Sequence, residues 1–154
     1  MAFAERWTIA LIVIAISTSM SAKRCAAAEL PQYVKGPISG LIHDCRQAGQ
    51  KLPKPEAYVS IGDLDGDGKP DHIVDTAKGC TANTDLYCNA EGCVVDVYLS
   101  STGAEGGSFR ARTVRIAKHG SKPALVIVKG GDTCGTNGCT VELVYDGKAF
   151  VEVK

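Results

Sequence analysis

Aromatic residues and net charge are both scarce in this sequence, and each shortage narrows what the protein can bind. Phenylalanine, tryptophan and tyrosine together make up 6% of the chain, and its one tryptophan, Trp7, lies in an N-terminal segment that we expect to be removed. A sugar-binding cleft lined by tryptophan is therefore not expected. The 17 basic and 17 acidic residues balance, so the charge gives no indication of binding to nucleic acid or to an anionic membrane surface.

The sequence also lacks an apolar run long enough to cross a bilayer, which takes about 20 residues. Residues 7–16 are almost wholly apolar, follow a short charged head, and precede three alanines at 26–28. This order is typical of a cleaved signal peptide. We expect residues 1–28 to be removed on export to the periplasm or the outside of the cell. A cut near Ser21 and an uncleaved N-terminal anchor are the alternatives.

The mature chain would keep 126 of the 154 residues, which is enough for one domain with its own core. Removal of three basic residues and one acidic residue leaves 14 basic and 16 acidic residues, so the net charge falls from zero to −2. After cleavage we expect no membrane span and no nucleic-acid partner.

Six of the seven cysteines lie in the mature chain, and an even number in an exported protein is typical of disulfides. The preferred pairing is Cys88–Cys93, Cys134–Cys139 and Cys45–Cys80, and the main alternative pairs Cys80 with Cys88 and Cys45 with Cys93. Four thiolates from the two Cys-x-x-x-x-Cys pairs could instead hold zinc. An oxidising compartment and the two further cysteines argue against zinc.

From Tyr58 onward, short segments rich in valine and isoleucine alternate with clusters of Gly, Asp, Asn and Ser, which predicts β-strands. Residues 29–57 should form an N-terminal segment that begins irregularly and contains a short helix over Ile38–Gln47. Prolines after this helix end it. We therefore expect an all-β fold with a short N-terminal helix, the β domain covering residues 58–154.

An internal repeat divides the β domain. CNAEGCVVDVYL (88–99) matches CGTNGCTVELVY (134–145) at an offset of 46, and GKPDHIV (68–74) matches SKPALVI (121–127) at an offset of 53. The repeat predicts two four-stranded antiparallel blade-like units over 58–113 and 114–154. Each unit would have an exposed edge strand. We expect residues 29–57 to cover this edge and keep the protein monomeric, and a dimer is the alternative.

The stretch GDLDGDGKPDHIVD (62–75) is the strongest functional signal. Its aspartates Asp63, Asp65, Asp67 and Asp71 occupy loop positions 1, 3, 5 and 9, and the main-chain carbonyl of Lys69 occupies position 7. This spacing converges oxygen ligands on one point, and calcium takes six to eight of them. Position 12, a glutamate in a helical EF-hand, is a valine inside a strand-like segment. The spacing therefore predicts a strand–loop–strand calcium site.

The second unit has Ile116, Lys118, Gly120 and Ala124 at the four aspartate positions. Its strand pattern persists without the carboxylates, so the strands do not require them. We expect one calcium ion, bound by the first unit alone.

GDLDGDGKPDHIV resembles the calcium loop of FG-GAP (also called VCBS) repeats, which occur in integrin-like propeller blades and in exported bacterial proteins. CVVDVYLSSTGAEGGSF resembles the later strands of the same repeat. The resemblance implies the Ca²⁺ ligands Asp63, Asp65, Asp67, Lys69 (main chain) and Asp71. The chain departs from the family in having two units and a cysteine hairpin in each. A closed propeller takes four or more blades, so it is not implied here.

The sequence carries no strong catalytic motif. No serine lies in a Gly-x-Ser-x-Gly elbow. Of the three histidines, His43 is expected on the surface of the short helix, His72 should face away from Asp71 on its strand, and His119 lies in the degenerate loop of the second unit. We expect an exported, calcium-binding, disulfide-stabilised β module that binds another envelope protein or a glycan. A small periplasmic hydrolase using His43 or His119, or an enzyme inhibitor, is the alternative.

Overall fold

A computed structural model of the protein describes residues 29–79, 84–132 and 134–154. The expected signal peptide, residues 1–28, lies outside these ranges, and so does Cys80 of the expected Cys45–Cys80 bridge. Among the described residues, no helix is long and apolar enough to cross a membrane.

The first element is helix α1, Gln32–Gln47. It begins six residues before the predicted start at Ile38, so the expectation of an irregular stretch before that residue is wrong. Pro37 lies inside the helix and removes one backbone hydrogen-bond donor. This cost is offset by burial of side chains that recur every three or four residues along one face, namely Val34, Ile38, Leu41 and Cys45.

Most of the remaining chain forms two antiparallel sheets, so the predicted all-β fold with a short N-terminal helix is confirmed. The first sheet has five strands, one more than expected. They are β1 (Val59–Gly62), β2 (Asp71–Asp75), β3 (Cys88–Asn89), β4 (Gly92–Leu99) and β5 (Ala104–Ala111). β1 pairs with β2 and β2 with β4, and both β3 and β5 pair with β4.

The second sheet is a four-stranded meander. It contains β6 (Thr113–His119), β7 (Lys122–Lys129), β8 (Cys139–Tyr145) and β9 (Phe150–Val153), hydrogen-bonded in that order. Short helical turns occur only in the first half of the described chain: 3₁₀ turns at Pro55–Ala57 and Thr76–Lys78, and one α-helical turn, α2, at Thr84–Tyr87.

Two disulfides staple the hairpin regions. Cys88–Cys93 joins β3 to β4, and Cys134–Cys139 closes the loop that leads into β8. Each bridge spans five positions of sequence, as the preferred pairing requires. Cys45, the described member of the third expected pair, is fully buried in α1.

The elements form three layers: α1, the first sheet and the second sheet. Between the sheets lies a core of buried apolar residues from β2, β4, β7 and β8, together with Leu64 and Ala111: Leu64, Ile73, Val95, Val97, Leu99, Ala111, Leu125, Ile127, Val141 and Leu143. On its other face, the first sheet packs against α1 through Val59, Val74 and Tyr98. These three residues come from three different strands. The helix therefore covers a face of the sheet and not, as expected, an edge.

The strand registers correct the internal repeat by one residue. Ile73 lies opposite Val97, and Leu125 lies opposite Leu143. If Val97 corresponds to Leu143, at the offset of 46, then Ile73 corresponds to Leu125 and not to Val126. The offset of 53 expected for this strand is therefore incompatible with the offset of 46 expected for the next one. A slip of one residue moves every side chain to the opposite face of a sheet.

The two sheets differ in the connection before their second strand. β1 and β2 are joined by the long aspartate loop, residues 63–70, whereas β6 and β7 are joined by the two residues Gly120 and Ser121. The connection between β6 and β7 is thus too short to be a counterpart of the aspartate loop.

Replacement of Ile38 by alanine should lower the free energy of unfolding by about 2–5 kcal/mol, because its side chain is 5% exposed between α1 and the first sheet. The neighbouring Ser39 is exposed, so Ser39→Ala should change the stability by less than about 0.5 kcal/mol. Urea denaturation of both variants measures the difference. Equal midpoints for the two variants would contradict the packing described here.

Candidate metal centre

The loop between β1 and β2 is folded by hydrogen bonds from its backbone amides to its aspartate side chains. The amides of Gly66 and Gly68 donate to the two oxygens of Asp63, at 2.7 and 3.1 Å. Both glycines have positive φ, +82° and +81°, a conformation that costs other residues more. The chain therefore wraps around the Asp63 carboxylate, as the predicted calcium loop requires.

Three carboxylates converge inside this wrap. Asp63, Asp65 and Asp71 each offer one oxygen, and the three oxygens lie within 4.8 Å of one another. Asp63 and Asp65 are half-buried, and Asp71 is fully buried. Hard carboxylate oxygens at this separation are suited to a hard divalent cation such as calcium.

Asp71 attaches the loop to the rest of the first sheet. One of its oxygens accepts the amide N–H of Leu64 at 2.8 Å, and the other accepts the amide N–H of Ser100 at 2.7 Å. Leu64 belongs to the loop itself, and Ser100 directly follows β4. Both hydrogen bonds are charge-assisted, which makes them stronger than bonds between neutral groups.

Ser100 and Ser101 are parts of the site that the sequence did not reveal. Besides the Ser100 amide bond, the Ser101 hydroxyl donates to Asp65 Oδ2. These contacts join residues that are 29 and 36 positions apart, and no motif connects them. The connection between β4 and β5 is therefore the second wall of the site.

Asp67, the fourth predicted aspartate ligand, lies outside the triad. Its carboxylate accepts the amide N–H of Lys69 at 2.7 Å and lies 3.6 Å from the Lys69 ammonium. These contacts involve the amide and the side chain of Lys69, not the carbonyl that was predicted to bind calcium.

The electrostatics of the site favour binding of a cation. Two like charges about 4 Å apart near a protein surface repel by roughly 1 to 4 kcal/mol, and the triad contains three such pairs. The field extends to α1: burial raises the pKa of the Tyr33 phenol, and the charges of Asp71 and Asp67 raise it further. A divalent cation would remove this repulsion.

The histidines do not assemble a second site. His43 is exposed on α1, and His119 is exposed at the end of β6, where its Nδ1 lies 2.9 Å from Glu142 Oε2. His72 is buried edge-on against Tyr33, and burial lowers its pKa while Asp71 partly offsets the shift. The three side chains therefore lie in different layers or on different faces of the described structure.

Comparisons of the chain with protein-family models, characterised proteins and solved structures gave no match.

Replacement of Asp63 by asparagine should abolish stabilisation by calcium. For the unchanged protein, linkage gives about 2.7 kcal/mol of added stability when free calcium is a hundredfold above its dissociation constant. Melting temperatures with excess calcium and with excess chelator measure the effect. We expect a clear increase with calcium for the unchanged protein and none for Asp63→Asn.

Asp146→Asn is the matched control for this experiment. Asp146 also accepts two backbone amides, from Lys148 and Ala149, at 2.8 and 2.9 Å, but it is not part of the triad. This variant should keep the full calcium response. A melting temperature of the unchanged protein that does not respond to chelator would contradict the site.

Asp71→Asn should destabilise the protein even in chelator. An asparagine has one acceptor oxygen, so one of the amides of Leu64 and Ser100 would face an NH₂ group in a buried position. An unsatisfied buried donor costs roughly 1–3 kcal/mol. Chemical denaturation in chelator should show this loss for Asp71→Asn and a smaller loss for Asp63→Asn, because the amides that Asp63 accepts belong to the exposed residues Gly66 and Gly68 and can bind water instead. Equal losses would show that Asp71 has no separate structural role.

Proposed function

We propose that this protein is an exported module that binds one calcium ion in the β1–β2 loop and uses the calcium-ordered end of the fold to bind another component of the cell envelope. The observation that carries the proposal is the convergence of the oxygens of Asp63, Asp65 and Asp71 within 4.8 Å. Like charges are brought this close at a cost, and a cation offsets that cost.

The choice of calcium rests on the donor chemistry. The triad supplies carboxylate oxygens only, and calcium prefers many oxygen ligands in a flexible arrangement. We propose that the Lys69 carbonyl and the Asp67 carboxylate complete the ligand set, as the likeness to FG-GAP loops implies. Asp67 would then exchange its 3.6 Å pairing with the Lys69 ammonium for the ion.

A second observation at the site supports the binding of a hydrated ion. The hydroxyl oxygen of Ser100 is buried and has no hydrogen-bond partner among the described residues, although the amide of the same residue binds Asp71. Buried polar atoms are rarely left without a partner. A hydrated ion beside Asp71 would bring water molecules that could satisfy this hydroxyl.

Export to the periplasm or beyond is supported by the cysteine chemistry. Two disulfides, Cys88–Cys93 and Cys134–Cys139, lie within the described part of the chain, and such bonds persist in oxidising compartments. Together with the signal-like sequence of residues 1–28, they favour a secreted or periplasmic location.

The binding role is inferred from the two surface segments beside the metal site, namely the aspartate loop and the β4–β5 connection. The aspartate loop contacts the β4–β5 connection through Asp65 and Ser101, and Asp71 at the start of β2 holds the neighbouring Ser100. Calcium bound between them would fix both segments, and ordered loops on a rigid sheet are common binding surfaces. The partner is proposed to be an envelope protein or a glycan.

The test uses the mature protein, residues 29–154, as bait in an envelope extract and on a glycan array. We expect capture of a defined partner in calcium and its release by chelator, since the partner contacts loops that the ion orders. Asp146→Asn bait should capture the partner as well as the unchanged protein does, and Asp63→Asn bait should not.

Isothermal titration with calcium alone separates the two parts of the proposal. A stoichiometry near one is expected. Absence of calcium binding would overturn the metal site. If calcium binds but chelator does not change the capture of the partner, only the calcium-dependent binding role is overturned.

A further inference from the structure

Strand β1 differs from the other edge strands in having no charged residue. The strands of more than two residues at the sheet edges are β1, β5, β6 and β9. Natural edge strands are commonly protected from pairing with another chain by charged side chains. β5 has Glu105 and Arg110, β6 has Arg115 and Lys118, and β9 has Glu152. β1 reads Val-Ser-Ile-Gly.

The surface beside β1 is mostly apolar. Ile61 is 51% exposed, although it is a large hydrophobic residue. It borders a groove of about 500 Å³ that is lined by the apolar residues Leu30, Pro55, Val59 and Ile61 and by the charged residues Glu29, Lys35 and Glu56. Since α1 covers the face of the sheet, neither the helix nor another strand among the described residues covers this edge.

The backbone of β1 has free pairing groups on the same side. The Tyr58 carbonyl accepts the amide N–H of Asp75 at 2.8 Å, so this carbonyl faces β2. In an antiparallel ladder this direction alternates along the strand. Ser60 therefore also faces β2, and the N–H and C=O groups of Val59 and Ile61 point to the open edge.

We propose that β1 pairs antiparallel with β1 of a second copy of this chain, about a two-fold axis at Ser60. In this register Val59 of each copy lies opposite Ile61 of the other. Side chains of directly opposite residues project to the same face, so each Ile61 enters the groove beside the other copy's Val59. The exposed side chain and the groove that receives it are on the same strand, which makes the surface self-complementary.

The charges on either side of β1 favour the antiparallel arrangement. The segment before the strand contains the exposed residues Lys51, Lys54 and Glu56, a net charge of +1, and the loop after it contains Asp63, Asp65, Asp67 and Lys69, a net charge of −2. Antiparallel pairing brings the acidic loop of one copy toward the lysines of the other. Parallel pairing would bring the acidic loops together, and like charges repel.

The test measures the mass of the mature protein, residues 29–154, by light scattering and sedimentation over a range of concentrations. We expect a reversible dimer. Ile61→Lys should raise the dimer dissociation constant more than about tenfold, because it removes the apolar side chain that packs into the groove of each partner. Ile61 is half-exposed, so the variant should fold.

Val151→Lys is the matched control, since Val151 is 40% exposed on the edge strand β9. It should leave the dimer unchanged. A Ser60→Cys variant checks the register: the two introduced cysteines would face each other across the axis and should form an intermolecular disulfide on mild oxidation. Val151→Cys should not cross-link in this way.

A monomer up to roughly millimolar concentration would overturn the proposal. So would a dimer that Ile61→Lys leaves intact, or capture of an extended peptide of another protein on β1 while this protein itself stays monomeric. These outcomes are distinct from failure of the metal site, because the strand pairing does not require a bound ion.

Discussion

The candidate metal centre depends on one buried carboxylate, that of Asp71. A buried charge without partners costs on the order of several kcal/mol, and Asp71 avoids this cost through the amides of Leu64 and Ser100. One of these amides belongs to the aspartate loop and the other to the chain leaving β4. The same two bonds that satisfy the charge therefore fix the loop against the sheet, and the positions of Asp63 and Asp65 follow from the position of the loop. The three carboxylates that result repel one another, and the second sheet shows that this cost is not a requirement of the fold. It has the same meander with two residues, Gly120 and Ser121, between β6 and β7. A feature that lowers stability and that the fold can do without is typical of a functional site.

The sequence was informative where a local pattern determines the structure. Alternating valines and isoleucines predicted the strands, and the 1, 3, 5, 9 spacing predicted that Asp63 and Asp71 meet although they are eight residues apart. The helix start was missed because Gly36 and Pro37 disfavour a helix locally, whereas burial of Val34 under the sheet decides the outcome. The register error in β7 has a similar cause. Ala124–Val128 is apolar at every position, so alternation cannot show whether Leu125 or Val126 faces the other sheet. Ser100 and Ser101 could not be predicted, because their contacts with the loop depend on how the strands pair.

The three-layer arrangement explains why the helix does not cover the free edge of the first sheet. Helix α1 and the second sheet cover the two faces of the first sheet, which is where most apolar area lies. The face and the edge of a sheet need different partners. Apolar side chains on a face are buried by packing, whereas the backbone groups of an edge strand need hydrogen-bond partners. A helix has no free backbone groups along its length to offer, so α1 can bury Val59 from above and still leave the outward-facing groups of Val59 and Ile61 without partners from the helix.

The open edge and the metal loop are adjacent in the chain, because Gly62 ends β1 and Asp63 begins the loop. The proposed ion and the proposed second copy would therefore act on the same segment. Calcium would reduce the negative charge that attracts Lys51 and Lys54 of the other copy, so the charge effect alone makes the two binding events oppose each other. Such coupling is reciprocal: whatever calcium does to dimerisation, dimerisation must do to the affinity for calcium. One short uncharged strand would in this way connect the assembly of the protein to the calcium concentration around it.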